Sequence, residues 1–226
     1  EEIISKLEDK FQLVGNTTSV IDFEQNIYLK GLEHLSPLFN YIVNQQCLKV
    51  TYRNFKGEVF VWNIHPYYIK EYNNRWFVIA GLENGKIFNY ALDRIDDFKP
   101  MPHIDYIEPD EDLESRFDDI VGVTLFKDKP TEDILLWVNE EGYQYVKTKP
   151  LHGSQRDVKG EEDKAVRERY PALQGGRFFR LQCILNYELE QLLMSKMNQL
   201  VVLEPATLKD SLINRIKKMD SLYSSI

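Results

Sequence analysis

Hydrophobic and polar positions along this chain change period twice, and the changes divide it. Ser36 and Pro37 open a helical stretch, with Ser36 placed to cap and Pro37 suited to a first turn. Leu38, Ile42 and Val43 then fall on one face, and the stretch closes near Gln46. From Leu48 the period becomes two. Five strands are predicted: Leu48–Tyr52, Val59–Ile64, Tyr67–Tyr72, Arg75–Ala80 and Ile87–Leu92. His65-Pro66 separates the second from the third, because proline cannot donate to a ladder. Asn73-Asn74 makes a two-residue hairpin turn, since asparagine tolerates positive φ. Strands this short, joined by tight turns, imply a small, strongly bent sheet or barrel.

Pro100, Pro102 and Pro109 punctuate the next stretch, and a domain boundary is placed here or just after. Beyond it the pattern alternates. Ile134–Val138 reads as a strand, Glu140–Val146 as a short helix, and Arg177–Leu185 as a strand. Residues 155–174 show no period, and Glu161-Glu162-Asp163-Lys164 reads as a solvated loop. Asn186 caps a helix over Tyr187–Met197, and Val201–Leu203 is a buried strand. Pro205 opens a last helix, whose Leu208, Leu212, Ile216, Met219 and Leu222 form a stripe expected to pack on a core. Interleaved strands and helices predict an α+β sandwich of ferredoxin type. Residues 1–33 read as a connector from an upstream region, 34–115 as one domain and 116–226 as a second.

Charge sharpens the picture more than composition does. The net charge is −8, yet residues 41–100 carry 8 basic and 6 acidic groups and are alone net positive. That is too mild for a duplex-DNA surface, but it suits a compact anion held by a few cations. Cys47 and Cys183 stand far apart with no metal spacing, so buried thiols in a reducing, cytoplasmic setting are expected. No secretory leader or membrane span is evident. Neither nucleophile, metal-protease nor phosphate-loop motifs occur, and His34, His65, His103 and His152 are scattered. Neither enzymatic activity, a cofactor nor a metal is expected.

What remains is a concentration of aromatic and basic groups: Tyr52 and Arg53, His65, Tyr67, Tyr68 and Lys70, Arg75 and Trp76, then Asp93-Arg94. Aromatic faces beside cations suit bases and phosphates. Core packing competes for each aromatic, and an ion pair with Asp93 competes for Arg94.

The run Pro66-Tyr67-Tyr68-Ile69-Lys70-Glu71-Tyr72-Asn73-Asn74-Arg75-Trp76-Phe77-Val78, followed by Leu92-Asp93-Arg94-Ile95, resembles the WYL domain. The Trp-Tyr-Leu triplet of that family stands here as Trp76-Phe77-Val78, without the tyrosine hydroxyl. Leu151–Gln155, Asn186–Leu189 and Val202–Pro205 resemble the extension that often follows such a domain, so the resemblance spans residues 34–226. It implies an Sm-like, SH3-type β-barrel followed by a ferredoxin-like α+β domain. It also implies the effector-sensing part of a bacterial transcriptional regulator, with a DNA-binding helix-turn-helix outside this chain. A nucleotide or single-stranded nucleic acid is the implied ligand, and a homodimer is expected from two-fold operators. The implied ligand-binding set is Tyr52, Arg53, His65, Lys70, Trp76 and Arg94. Phe88 and Ala91 stand where the family often has arginines, which argues against a highly charged ligand. The competing reading is an interaction or oligomerisation module with no small ligand, its aromatic cluster serving as core.

Overall fold

A computed structural model describes residues 30–110, 112–126 and 129–226. The expected connector therefore lies, up to residue 29, outside the described residues. The fold is α+β, with two antiparallel sheets.

The first sheet follows a short helix, α1 (Leu35–Val43). A 3-10 turn over Leu32–His34 leads into it, so Ser36 sits inside the helix instead of capping it. Pro37 still falls in the first turn, where a missing N–H costs nothing. Leu38 is fully buried against the sheet, a burial that contributes about 2 kcal/mol. The strands are β1 (Leu48–Arg53), β2 (Val59–Tyr72), β3 (Arg75–Gly81), β4 (Ile87–Ala91) and β5 (Ile95–Pro100). Their spatial order is β4-β3-β2-β1-β5.

Two expectations change here. The break at Pro66 does not end a strand. Val59–Ile64 pair with β1, while His65–Tyr72 pair with β3, with a register shift between Pro66 and Tyr68. Proline is tolerated because the strand bends there and changes partner. The true fifth strand is Ile95–Pro100, which pairs with β1. The end strands β4 and β5 do not pair, so the barrel is not closed by hydrogen bonds. A 3-10 turn over Leu92–Arg94 spans that seam. Asn73 and Asn74 take φ of 51° and 58°, as their hairpin turn requires.

Alternation along β3 splits its side chains between two cores. Trp76, Val78 and Ala80 belong to the barrel interior with Tyr52, Ile64 and Tyr90. Ile79 and Phe77 face outward and pack with Leu113, Phe117, Ile120 and Ile184. Two of these lie on α2 (Leu113–Asp118) in the connecting segment. That segment binds both halves: the Tyr106 hydroxyl donates to Pro66 O at 2.7 Å, and Ile184 N–H to Asp119 O at 2.7 Å.

The second sheet comprises β6 (Glu132–Val138), β7 (Arg156–Asp157), β8 (Arg177–Cys183) and β9 (Leu200–Glu204), in the order β7-β8-β6-β9. With α3 (Glu140–Thr148) after β6 and α5 (Tyr187–Met194) after β8, this is the split βαβ arrangement of ferredoxin-like folds. One helix, α4 (Gly160–Arg169), is inserted between β7 and β8. The run Glu161-Glu162-Asp163-Lys164 is thus its first turn and not a loop. Acidic groups there oppose the positive end of the helix dipole. Because α4 covers one sheet face and α3, α5 and α6 (Ala206–Tyr223) the other, β6 is apolar on both sides.

The Asn186 cap forms as expected, its Oδ1 accepting from Leu189 N–H at 2.8 Å. The stripe on α6 is only half used. Leu208 and Leu212 are buried, while Ile216, Met219 and Leu222 are exposed. Cys47 and Cys183 are free and buried, and burial pushes the Cys183 thiol up to about 11. Among the described residues, no helix is long and apolar enough to cross a membrane.

Candidate ligand cleft

A cleft of about 500 Å³ opens where the first sheet meets the second domain. The sheet supplies Arg75 and Phe77 from β3, Asn89 from β4, Arg94 from the seam turn and Phe55 from the β1–β2 turn. Tyr72 and the Asn73-Asn74 turn form one end. The second half supplies Val123 and Thr124 from the connecting segment, and Tyr187, Glu188 and Gln191 from α5.

Arg94 shapes the cationic side. Its guanidinium carbon lies 3.6 Å from the Phe55 ring centroid and 5.5 Å from that of Tyr52. Its Nε is buried with no hydrogen-bond partner among the described residues. The expected rival, an ion pair with Asp93, is not formed. Asp93 Oδ2 instead lies 3.3 Å from Arg75 Nη2. Both arginines therefore reach the cleft, with one of them neutralised.

The opposite side is acidic and polar. Glu188 is buried, and its Oε1 accepts from the Thr124 hydroxyl at 2.5 Å. Thr124 Oγ1 in turn accepts from Asn89 Nδ2 at 3.4 Å, so a hydrogen-bond relay runs from β4 to α5. Gly122, at φ +89°, leaves the space that Glu188 fills, since a Cβ there would lie 2.6 Å from Glu188 Cγ. The Tyr72 hydroxyl is pushed above its ordinary pKa by burial and, secondarily, by the Glu188 charge.

The sequence-derived residues scatter around this geometry. Arg94 lines the cleft, and Tyr52 lies beneath it, 8% exposed, its ring edge-on to Tyr90 at 5.3 Å. Trp76 turns into the barrel interior, and its neighbour Phe77 faces the cleft instead. Arg53 pairs with Asp96 at 2.6 Å on the exposed sheet edge. His65 is wholly buried and accepts from Ile107 N–H through Nδ1 at 3.2 Å. Lys70 lies against α2, its Nζ 4.3 Å from the Phe117 ring centroid, and burial holds its pKa below the usual lysine value. The structure thus brings Tyr52 and Arg94 together and places Arg53, His65, Lys70 and Trp76 elsewhere. Phe55, Phe77 and Glu188 were not singled out from sequence. Alternation does show that Trp76 and Phe77 face opposite ways.

A second hollow, of about 480 Å³, lies between α4 and β8. Four of its five charges are paired, Arg167 with Asp163 at 2.8 Å and Lys159 with Asp157 at 3.3 Å, while Arg177 bonds the Gly176 carbonyl. Among the described residues no group of histidine, cysteine or carboxylate side chains is arranged to hold a metal.

No protein of curated function matches the chain. Among solved structures, proteasome accessory factor B/C of Arthrobacter aurescens is similar at 13% identity over 83% of this chain, with a TM-score of 0.33. A CRISPR Cas-related protein is similar at 11% identity over 83% of this chain, with a TM-score of 0.47. The matched parts span 26% and 50% of those chains. Residues 33–100, which carry α1 and β1 to β5, match the WYL domain.

Proposed function

We propose that this chain is the effector-sensing module of a bacterial transcriptional regulator, and that it takes a nucleotide or single-stranded nucleic-acid ligand in the cleft between its two sheets. Arg94 carries the reading. It is a cation stacked on an exposed aromatic ring, with a donor left unpaired, in a concave site. A phosphate would accept from the Arg94 guanidinium while a base stacks on Phe55 or Tyr187. Arg75 adds a second cation, partly spent on Asp93.

Sensing needs a ligand that binds two arrangements of the protein unequally. The cleft supports this because both domains line it. A ligand held by Arg94 and α5 together bridges them, and so biases their relative orientation. DNA would be read by a separate domain, presented as a pair by a homodimer.

The test is anisotropy of labelled single-stranded oligonucleotides on wild type and Arg94→Ala. With two arginines engaged, log K should fall against log salt with a slope of about −1.4. Wild-type binding that Arg94→Ala leaves unchanged would sink the proposal.

A second reading, an oligomerisation module, has its own support in the exposed Ile216, Met219 and Leu222 on α6. The two readings are separable by variants, since neither Met219 nor Leu222 lines the cleft.

A further inference from the structure

We propose that the cleft is selective for guanine, and that Glu188 is the residue that reads the base. The inference rests on the nucleotide reading above and specifies its ligand.

Glu188 is 8% exposed, yet only one of its carboxylate oxygens is used. Oε1 accepts from Thr124, while Oε2 is buried without a partner among the described residues. A buried acceptor left unmade is costly, and more so when charged. Glu188 projects from the first turn of α5, on the side of that helix that meets the connecting segment. The side chain lines the cleft, so a ligand can supply the missing donor. The other pole of the cleft is cationic through Arg94, with Arg75 beside it paired to Asp93. A matching ligand is therefore two-ended, with an anion at one end and N–H donors at the other.

Base edges differ in what they offer a carboxylate. Adenine and cytosine place a ring nitrogen lone pair beside their amino group, which repels it. Uracil and thymine flank their single N–H with carbonyl oxygens, which also repel it. Guanine presents N1–H and N2–H side by side with no acceptor between them. One can satisfy Oε2 while the other shares Oε1 with the Thr124 hydroxyl. Tyr187, half exposed beside Glu188 with Arg215 5.3 Å over its ring, adds aromatic surface against which the base can pack.

The experiment is calorimetric titration of the whole chain with GMP, IMP, AMP and ribose 5-phosphate. Wild type should bind GMP most tightly, IMP next because it keeps N1–H but lacks the amino group, and AMP more weakly. Glu188→Gln should weaken GMP by roughly tenfold to a hundredfold, because an amide turns its own donor toward the base. Ribose 5-phosphate should change by less than about twofold in the same variant. Arg94→Ala should weaken all four. GMP no tighter than AMP in wild type overturns the inference without needing any variant. So does an equal loss of GMP and ribose 5-phosphate in Glu188→Gln, which would mark a structural role. If ribose 5-phosphate still binds through Arg94 in either case, only the guanine assignment fails. If no phosphate compound or oligonucleotide binds wild type, the nucleotide reading fails with it.

Discussion

Arg94 lies over a ring that solvent can reach: its guanidinium carbon is 3.6 Å from the centroid of Phe55, which is 80% exposed. Such a contact is worth about 0.5–1 kcal/mol at an exposed site. Phe55→Ala should therefore change folding stability by less than about 1 kcal/mol. If Phe55 stacks on a base, the same variant should lose about tenfold in oligonucleotide affinity. Denaturant unfolding and anisotropy on one preparation check both. A large stability loss with unchanged affinity would assign Phe55 to packing.

Gly31 is the rigid counterpart of that contact. It has φ +86°, and a Cβ there would lie 2.4 Å from the carbonyl carbon of Leu92. Backbone cannot yield as a side-chain tip can. Gly31→Ala should destabilise by about 2–4 kcal/mol, from left-handed strain and overlap together. It should also weaken ligand binding, because Leu92 begins the turn that carries Arg94. A melting temperature within a degree of wild type would contradict this.

His65 predicts a pH dependence. Burial, opposed in part by Glu83, holds its pKa below the ordinary 6.5. Protonation would also remove the acceptor used by Ile107 N–H. The folded state thus binds the proton more weakly than the unfolded chain. The stability from this group is complete above about 6.5 and is lost as pH falls toward the lower folded value. Between pH 7.5 and 5.5 the urea midpoint of wild type should fall further than that of His65→Gln, whose amide oxygen does not titrate. Equal falls would remove His65 as the cause.

The outer half of α6 tests the oligomer. Met219 is 47% exposed and Leu222 60%. Replacing both with lysine should leave monomer stability within about 0.5 kcal/mol. If this stripe joins two copies, light scattering should show a dimer for wild type and a monomer for the double variant. A wild-type monomer at all concentrations would dismiss the oligomerisation reading.

Sequence periodicity captured elements whose side chains face one core and one solvent. The Asn73-Asn74 turn and the Asn186 cap were legible because their chemistry is local. β5 escaped because only Ile95 in it is buried, and Asp96 and Asp97 mask the alternation. α4 escaped because Val166 alone is buried on it, and its acidic first turn has the composition of a loop. The site was harder to read. Arg94 could be named, since charge beside aromatics is visible in one segment. Glu188 and Thr124 could not, because they reach the cleft from positions 64 residues apart and meet only through the packing of α5 on the connecting segment.

The unpaired seam between β4 and β5 gives the cleft a mechanical property. Ladder-bonded strands move as a unit, and displacing one residue breaks several hydrogen bonds. Arg94 instead rides on a three-residue turn, whose closing backbone bond runs from Ile95 N–H to Leu92 O. Arg94 therefore sits outside the ladder, on a turn whose ends, Leu92 and Ile95, are both buried. The load of any ligand held by Arg94 would pass to that turn first and to the ladder only through Leu92 and Ile95.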